Sequence, residues 1–192
     1  MNGVILLDKP PDISSAGALN IVKRLLPRGV KIGHAGTLDP FATGLLVLLV
    51  GKSTRRCEEL MNAPKEYETT IRLGARSATD DPESEPIETL GATAPDRAVV
   101  TDVLKRFIGD IQQTPPAYSA IKIAGRRACD RIRSGESVEL KPRTVRVYDI
   151  ALDLYEWPYT KVRINCGRGT YIRSIARDMG EILGIGAYLT AL

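Results

Sequence analysis

Six consecutive apolar residues, Leu45-Leu46-Val47-Leu48-Leu49-Val50, constrain the fold more than any other stretch of this chain. The run is far shorter than the ~20 residues a membrane span needs, and it has the pattern of a strand buried on both faces. Its neighbours do not surround it with a regular strand-helix-strand alternation. Upstream, Val4 to Leu7 reads as a short buried strand, followed by a Pro-Pro turn and by Ser14 or Ser15, either of which can cap a helix. Leu19, Val22, Leu25 and Leu26 carry that helix to a stop at Pro27, and Val30 to Ile32 reads as a second short strand. Ser53 to Asn62 is expected to be helical.

Further on, strand periodicity sets Tyr67, Thr69, Ile71 and Leu73 on one face, with Tyr67 at its N-terminal edge. A helix opens at Pro95, with Val99, Val100, Val103, Leu104 and Phe107 at helical spacing and Gly109 just beyond it. After Pro115-Pro116 the chain can form a hairpin about Gly125 and a short helix ending at Gly135. Thr144 to Glu156 and Thr160 to Cys166 read as paired strands, and Thr170 as the cap of a last helix bearing Ile172, Ile175, Ala176, Met179, Ile182 and Leu183. Strands and helices mixed without βαβ order favour an α+β fold: a mixed, largely antiparallel central sheet flanked by helices, in one domain spanning 1–192.

Composition narrows the chemistry. Cys57, Cys129 and Cys166 form no CxxC pair and are odd in number, so neither a disulfide framework nor a thiolate metal site is expected. A single histidine, His34, excludes any site built on two His ligands, leaving carboxylates, Arg, Lys and Tyr; the expected metal is none. Gly51-Lys52-Ser53 is a poor phosphate loop, because Leu46 stands five residues before Gly51. The N-terminus has no basic segment followed by an apolar core, so the expected location is cytoplasmic, away from membrane.

Charge is unevenly placed. The net charge of +4 conceals five acids and no base between Asp80 and Glu88, and eight bases against three acids between Pro115 and Arg146. The basic stretch is either a solvated surface or a contact for an anionic partner.

Two local features go beyond packing. The loop Gly33-His34-Ala35-Gly36-Thr37-Leu38-Asp39-Pro40-Phe41-Ala42-Thr43-Gly44 brings three glycines, the lone histidine and one carboxylate to the entrance of the apolar strand. Pro40 biases Asp39 towards an extended backbone, and such a loop presents its side chains from a rigid scaffold. In Gly169-Thr170-Tyr171-Ile172-Arg173-Ser174, Arg173 falls in the first turn of a helix, where the dipole disfavours a cation. An anion is expected beside it, either a carboxylate, with Asp39 the leading candidate, or an RNA phosphate.

These motifs resemble the bacterial tRNA pseudouridine-55 synthases of the TruB family. The resemblance runs through Leu7-Asp8-Lys9-Pro10, the Gly33 to Gly44 loop, Tyr67 with Leu73-Gly74, and Thr114-Pro115-Pro116-Ala117-Tyr118-Ser119-Ala120. It continues through Lys122, Gly125-Arg126-Arg127 and the Gly169 to Ser174 motif. It implies an isomerase that flips a uridine out of the tRNA T-loop, cleaves its N-glycosidic bond, rotates the uracil and rejoins it through C5. Asp39 corresponds to the nucleophile, Tyr67 to the aromatic that stacks on the base and accepts the C5 proton, Arg173 to the partner of the aspartate, and His34 to the residue filling the vacated space. Lys9, Tyr171, Leu189, Lys122, Arg126 and Arg127 are assigned to substrate or RNA contact, the last three on a basic hairpin and helix thumb inserted at about 115–142. The implied partner is the tRNA T-arm, with no cofactor, no required protein partner and a monomeric state. The guide-RNA-dependent relatives share the aspartate loop, and a non-catalytic RNA-binding module is the reading from another class. The chain departs from the family at Asp12, where glycine is usual, at Cys129, where tyrosine is frequent, and at Pro82-Glu83-Ser84. The resemblance also implies a C-terminal RNA-binding domain in relatives, which this sequence is expected to lack.

Overall fold

The structure, a computed structural model, describes residues 1–119, 121–123 and 125–192, so Ala120 of the Thr114 to Ala120 motif lies outside the described residues. The chain forms two compact units, residues 1–63 with Leu192, and residues 64–191.

The first unit is built on an antiparallel sheet of β1 (Gly3–Lys9), β2 (Ile32–His34) and β3 (Gly44–Val50), in the order β1-β3-β2. Most of the apolar run in β3 is buried as expected, and Leu46, Leu48 and Leu49 are sealed. Helix α1 (Ser15–Arg24) packs Ala18, Leu19 and Val22 into a core with Leu46, Leu48, Ile5 and Leu7. Ser14 is its cap, accepting from the Gly17 amide at 3.0 Å. Strand β1 is not buried on both faces: Ile5 and Leu7 turn inward while Val4 and Leu6 are exposed, the alternation of a sheet covered on one side. Asp12 adopts φ +62°, a left-handed backbone that Asp tolerates and glycine adopts freely. After β3 the chain takes a 3₁₀ turn, Gly51–Arg56, before α2 (Cys57–Asn62), so the helix expected from Ser53 begins later.

The second unit holds an antiparallel sheet in the order β12-β4-β11-β10-β7. Its strands are β4 (Lys65–Leu73), β7 (Gly109–Gln113), β10 (Arg143–Glu156), β11 (Tyr159–Cys166) and β12 (Ala187–Ala191). Short ribbons β5 (Ala75–Arg76) with β6 (Ile87–Glu88), and β8 (Lys122–Ile123) with β9 (Arg126–Arg127), complete the strands. Helix α3 (Arg97–Lys105) buries Val100, Val103 and Leu104, and α4 (Ala128–Arg133) follows the second ribbon. Helix α5 (Ile172–Ile182) buries Ile172, Ile175, Ala176 and Met179. Gly180 is needed where α5 meets β12, because a Cβ there would lie 2.1 Å from the Ala187 amide nitrogen.

The fold is therefore α+β, but every pairing among the described residues is antiparallel, and the strands form separate sheets instead of one mixed central sheet. Thr170 does not cap α5: the helix begins at Ile172, Tyr171 holds the cap position without a side-chain bond, and the Thr170 hydroxyl donates to the Gly167 carbonyl at 3.1 Å. Among the described residues no helix is long and apolar enough to cross a membrane.

Candidate active site

In the first unit, Asp39 stands in a loop whose backbone is fastened on both sides of it. The Ser15 hydroxyl donates to the Leu38 carbonyl at 2.9 Å and accepts from the Leu38 amide at 2.8 Å. Beyond Asp39, the Lys9 ammonium donates to the Pro40 carbonyl at 3.0 Å, and the Asp39 carbonyl itself accepts from the Ala42 amide at 3.1 Å. Upstream, the Ala35 amide binds the Val47 carbonyl, while Gly36 turns the chain at φ +125°. His34 closes this turn, its Nδ1–H donating to the Gly36 carbonyl at 2.5 Å. Asp39 and His34 are half-buried, so the loop holds a carboxylate and an imidazole at a surface on a fixed backbone.

Lys9 does not do what was expected of it. It is completely buried, and its ammonium donates to the carbonyls of Pro10, Ile13 and Pro40 at 2.9, 2.8 and 3.0 Å. A lysine has three protons to donate, and all are used inside the fold. Lys9 holds the Asp39 loop in place instead of reaching RNA. Burial lowers its pKa, opposed by the charges of Asp12 and Asp39.

In the second unit, Tyr67 lies half-buried on β4 opposite Ile164, on the face it shares with buried Thr69, Ile71 and Leu73. Leu189 is fully buried on β12 opposite Ile71. Arg173 points inward from the first turn of α5. Its Nη1 donates to Asp81 Oδ2 at 2.8 Å and to the Thr79 carbonyl at 3.0 Å, and its Nη2 to the Tyr118 carbonyl at 3.1 Å. Asp81 is also held, accepting at Oδ1 from the Thr79 hydroxyl and the Glu83 amide. An anion beside Arg173 was expected, but Asp81 was missed because the acidic run around it reads as a solvated loop. Next to Arg173, Tyr171 is pinned through its backbone by the Gln113 side chain, which accepts from its amide and donates to its carbonyl at 2.8 and 3.0 Å. The Arg143 guanidinium lies 5.0 Å from the centre of the Tyr171 ring.

The basic hairpin and short helix exist as β8, β9 and α4, with Gly125 at φ +84° between the strands. Lys122 and Arg127 pair through their backbones, and their side chains lie outside the described ones. Arg126 is exposed, but its Nη1 donates to Glu136 at 2.9 Å, and Arg131 shares the same carboxylate at 2.6 Å. Among the described residues no group of three His, Cys, Asp or Glu could hold a metal ion.

The family described as "TruB family pseudouridylate synthase (N terminal domain)" matches residues 23–172. Over its full length the chain is 48% identical to the tRNA pseudouridine synthase B of Cupriavidus taiwanensis and covers 61% of it. It is 47% identical to that of Burkholderia lata, again over its full length, and covers 59% of it. The chain thus spans about three fifths of the length of these relatives. Among solved structures it is similar to a Cbf5-Nop10-Gar1 complex, with a TM-score of 0.73 and 32% identity over 98% of this chain and 46% of that one. It is also similar to an H/ACA RNP bound to a substrate RNA containing 2'-deoxyuridine, with a TM-score of 0.71 and 29% identity over 98% of this chain and 45% of that one.

Proposed function

Because the chain belongs to the TruB family of pseudouridylate synthases, we propose that it carries the catalytic part of a tRNA pseudouridine synthase, an isomerase acting on the T-loop uridine at position 55. The observation that carries this reading is the fastened loop that presents Asp39, the one carboxylate between Gly33 and Gly44, on a backbone tied down at Leu38 and Pro40. A pre-positioned carboxylate suits covalent catalysis. The reaction exchanges the bond from the ribose to N1 of uracil for one to C5. The proton on C5 leaves, N1 takes one up, and nothing is oxidised or lost.

The target base is stacked inside the T-loop and must be extruded at a cost of a few kcal/mol, which stacking on an aromatic partly offsets. Tyr67 supplies that ring and accepts the C5 proton. Asp39 is the nucleophile, Arg173 the cation that keeps it ionised, and His34 fills the space the base leaves. Tyr171 lines the base, fully buried Leu189 supports the sheet beside Tyr67's strand instead of touching the base, and Lys122, Arg126 and Arg127 of the thumb meet the phosphates. The partner is the tRNA T-arm; a monomer, in the cytoplasm, needs no further protein, metal or cofactor.

The test is to incubate the protein with an unmodified tRNA transcript and map pseudouridine by carbodiimide-dependent primer-extension stops. The wild-type chain is expected to give one stop in the T-loop, and Asp39→Asn none, with tRNA binding kept within a few-fold. Turnover by Asp39→Asn overturns the assignment. The likeness to a Cbf5-Nop10-Gar1 complex favours a second reading, a synthase subunit that works only with partner proteins. A wild-type chain inactive on tRNA alone, but active once such partners are added, would support it.

A further inference from the structure

Residues 1–63 carry eight Lys and Arg against five Asp and Glu, a net charge of +3, whereas residues 64–192 carry nineteen against eighteen. The excess in residues 1–63 is separate in sequence from that of the thumb stretch, which acids elsewhere in residues 64–192 offset. It is concentrated in Lys23-Arg24-Leu25-Leu26-Pro27-Arg28-Gly29-Val30-Lys31, four bases and no acid in nine residues.

Local structure gathers these bases. Helix α1 ends at Arg24, and its last turn is closed by the Leu25 and Leu26 amides on the carbonyls of Val22 and Lys23. The chain then folds back through a turn closed by the Val30 amide on the Pro27 carbonyl at 3.3 Å, with Gly29 at φ +84°. As a result Asn20, Lys23, Arg24 and Arg28 line one open pocket of about 550 Å³, and Lys31 follows just before β2. All four cations are exposed.

Several arginines elsewhere are paired within the fold: Arg56 with Glu59, Arg126 and Arg131 with Glu136, Arg146 with Asp110, Arg163 with Asp153. Among the described residues, Lys23, Arg24, Arg28 and Lys31 have no such ion pair or side-chain hydrogen bond. The helix dipole accounts for Lys23 and Arg24 in the last turn of α1. It does not account for Arg28 and Lys31, which lie beyond the helix. Like charges this close repel one another within a screening length of ~10 Å, and an anion entering the pocket relieves the repulsion.

We propose that this pocket is a second contact for the RNA, binding its phosphate backbone, distinct from the residues assigned to the chemistry and from the thumb. The proposal rests on the pseudouridine synthase reading for the identity of the anion. Three cations and one amide in an open pocket with no aromatic ring offer donors for phosphate oxygens and no platform for a base. The contact is therefore indifferent to sequence and contributes to affinity, not to turnover.

The test is Lys23→Gln/Arg24→Gln/Arg28→Gln, compared with wild type by filter binding of a tRNA transcript over a range of salt and by turnover. Removing three phosphate contacts is expected to flatten the slope of log K against log salt by roughly two to three, and to raise Kd at least ~10-fold at low salt. The rate at saturating RNA is expected to stay within two-fold. Arg24→Lys/Arg28→Lys, which keeps the charge, should keep the slope. Should the triple variant melt early, Arg28→Gln alone, on the turn outside the helix, is expected to flatten the slope by about one. Wild type that binds and modifies RNA, with variants of unchanged slope and Kd, overturns this proposal and leaves the synthase reading standing, with the pocket facing an acidic protein instead. Wild type that neither binds nor modifies RNA overturns both.

Discussion

Nη1 of Arg173 lies 2.8 Å from Oδ2 of Asp81, and the two side chains are only 4% and 2% exposed. An arginine in the first turn of a helix works against the dipole, and Asp81 supplies the negative charge that offsets this. Breaking a buried pair by removing one partner strands the other charge and costs ~3–5 kcal/mol. Asp81→Ala is expected to lose stability of that order in urea unfolding, and Asp81→Asn, which keeps a hydrogen-bond acceptor, less. Both should lower kcat through a displaced Arg173. An Asp81→Ala protein within about 1 kcal/mol of wild type, well below the ~3–5 kcal/mol that breaking a buried pair costs, would show that Asp81 does not hold Arg173.

Lys9 gives a second, independent test of how the Asp39 loop is held. Lys9→Met keeps most of the buried volume but leaves the Pro10, Ile13 and Pro40 carbonyls without their donor. An unsatisfied buried acceptor costs ~1–3 kcal/mol. The expected outcome is a large loss of stability and of kcat, with the Kd for tRNA little changed. A weakened Kd at unchanged stability would return Lys9 to an RNA-contact role.

Asp80 makes stability pH-dependent in an unusual direction. Burial raises its pKa from 3.8 to about 6, although Arg177 and Arg173 oppose the shift, and Arg177 Nη1 lies 3.1 Å from its Oδ2. The folded state therefore holds the proton more tightly than the unfolded chain. The contribution of Asp80 is fully present below about pH 4 and is lost as pH rises towards 6. Between those values the stability of wild type relative to Asp80→Asn should fall by a few kcal/mol, then level off. Urea unfolding of both proteins from pH 4 to 7.5 checks this, and a flat difference would mean that the carboxylate titrates normally.

Local chemistry was legible in the sequence wherever it depended on neighbours in the chain. Alternation over Tyr67 to Leu73, the paired strands ending at Glu156 and Cys166, and the apolar face of α5 all follow from periodicity. The Asp39 loop stood out because glycines and Asp-Pro have steep backbone preferences. The roles of Lys9 and Asp81 were not legible, since each depends on groups distant in sequence: the Pro40 carbonyl is 31 residues from Lys9, and Arg173 is 92 from Asp81. Charged residues read as solvated unless the chain brings them a partner. Strand β1 was misread for a related reason, because a run of apolar residues does not say which face is covered. Tyr171 instead of Thr170 holds the cap position because the helix starts one residue later than the capping preference of threonine suggests.

The thumb offers a test of the same logic in reverse. Eight bases between Lys122 and Arg146 suggest a surface ready for phosphate. In the structure, however, Glu136 accepts from both Arg126 and Arg131, and those two arginines depress its pKa together with Ser134. Arg146 is similarly paired with Asp110. Exposed pairs of this kind are screened by solvent and contribute little to stability, so removing the acid costs the fold little. It leaves two guanidiniums without their shared counter-charge. Glu136→Gln is therefore expected to bind tRNA several-fold more tightly at low salt and to steepen the salt slope by roughly one, while melting at nearly the same temperature. Arg126→Ala/Arg127→Ala should move slope and affinity the other way, with saturating tRNA largely restoring the rate. If Glu136→Gln instead weakens binding, the carboxylate is shaping the thumb rather than masking its charge, and the ion pairs seen here belong to the RNA-binding form.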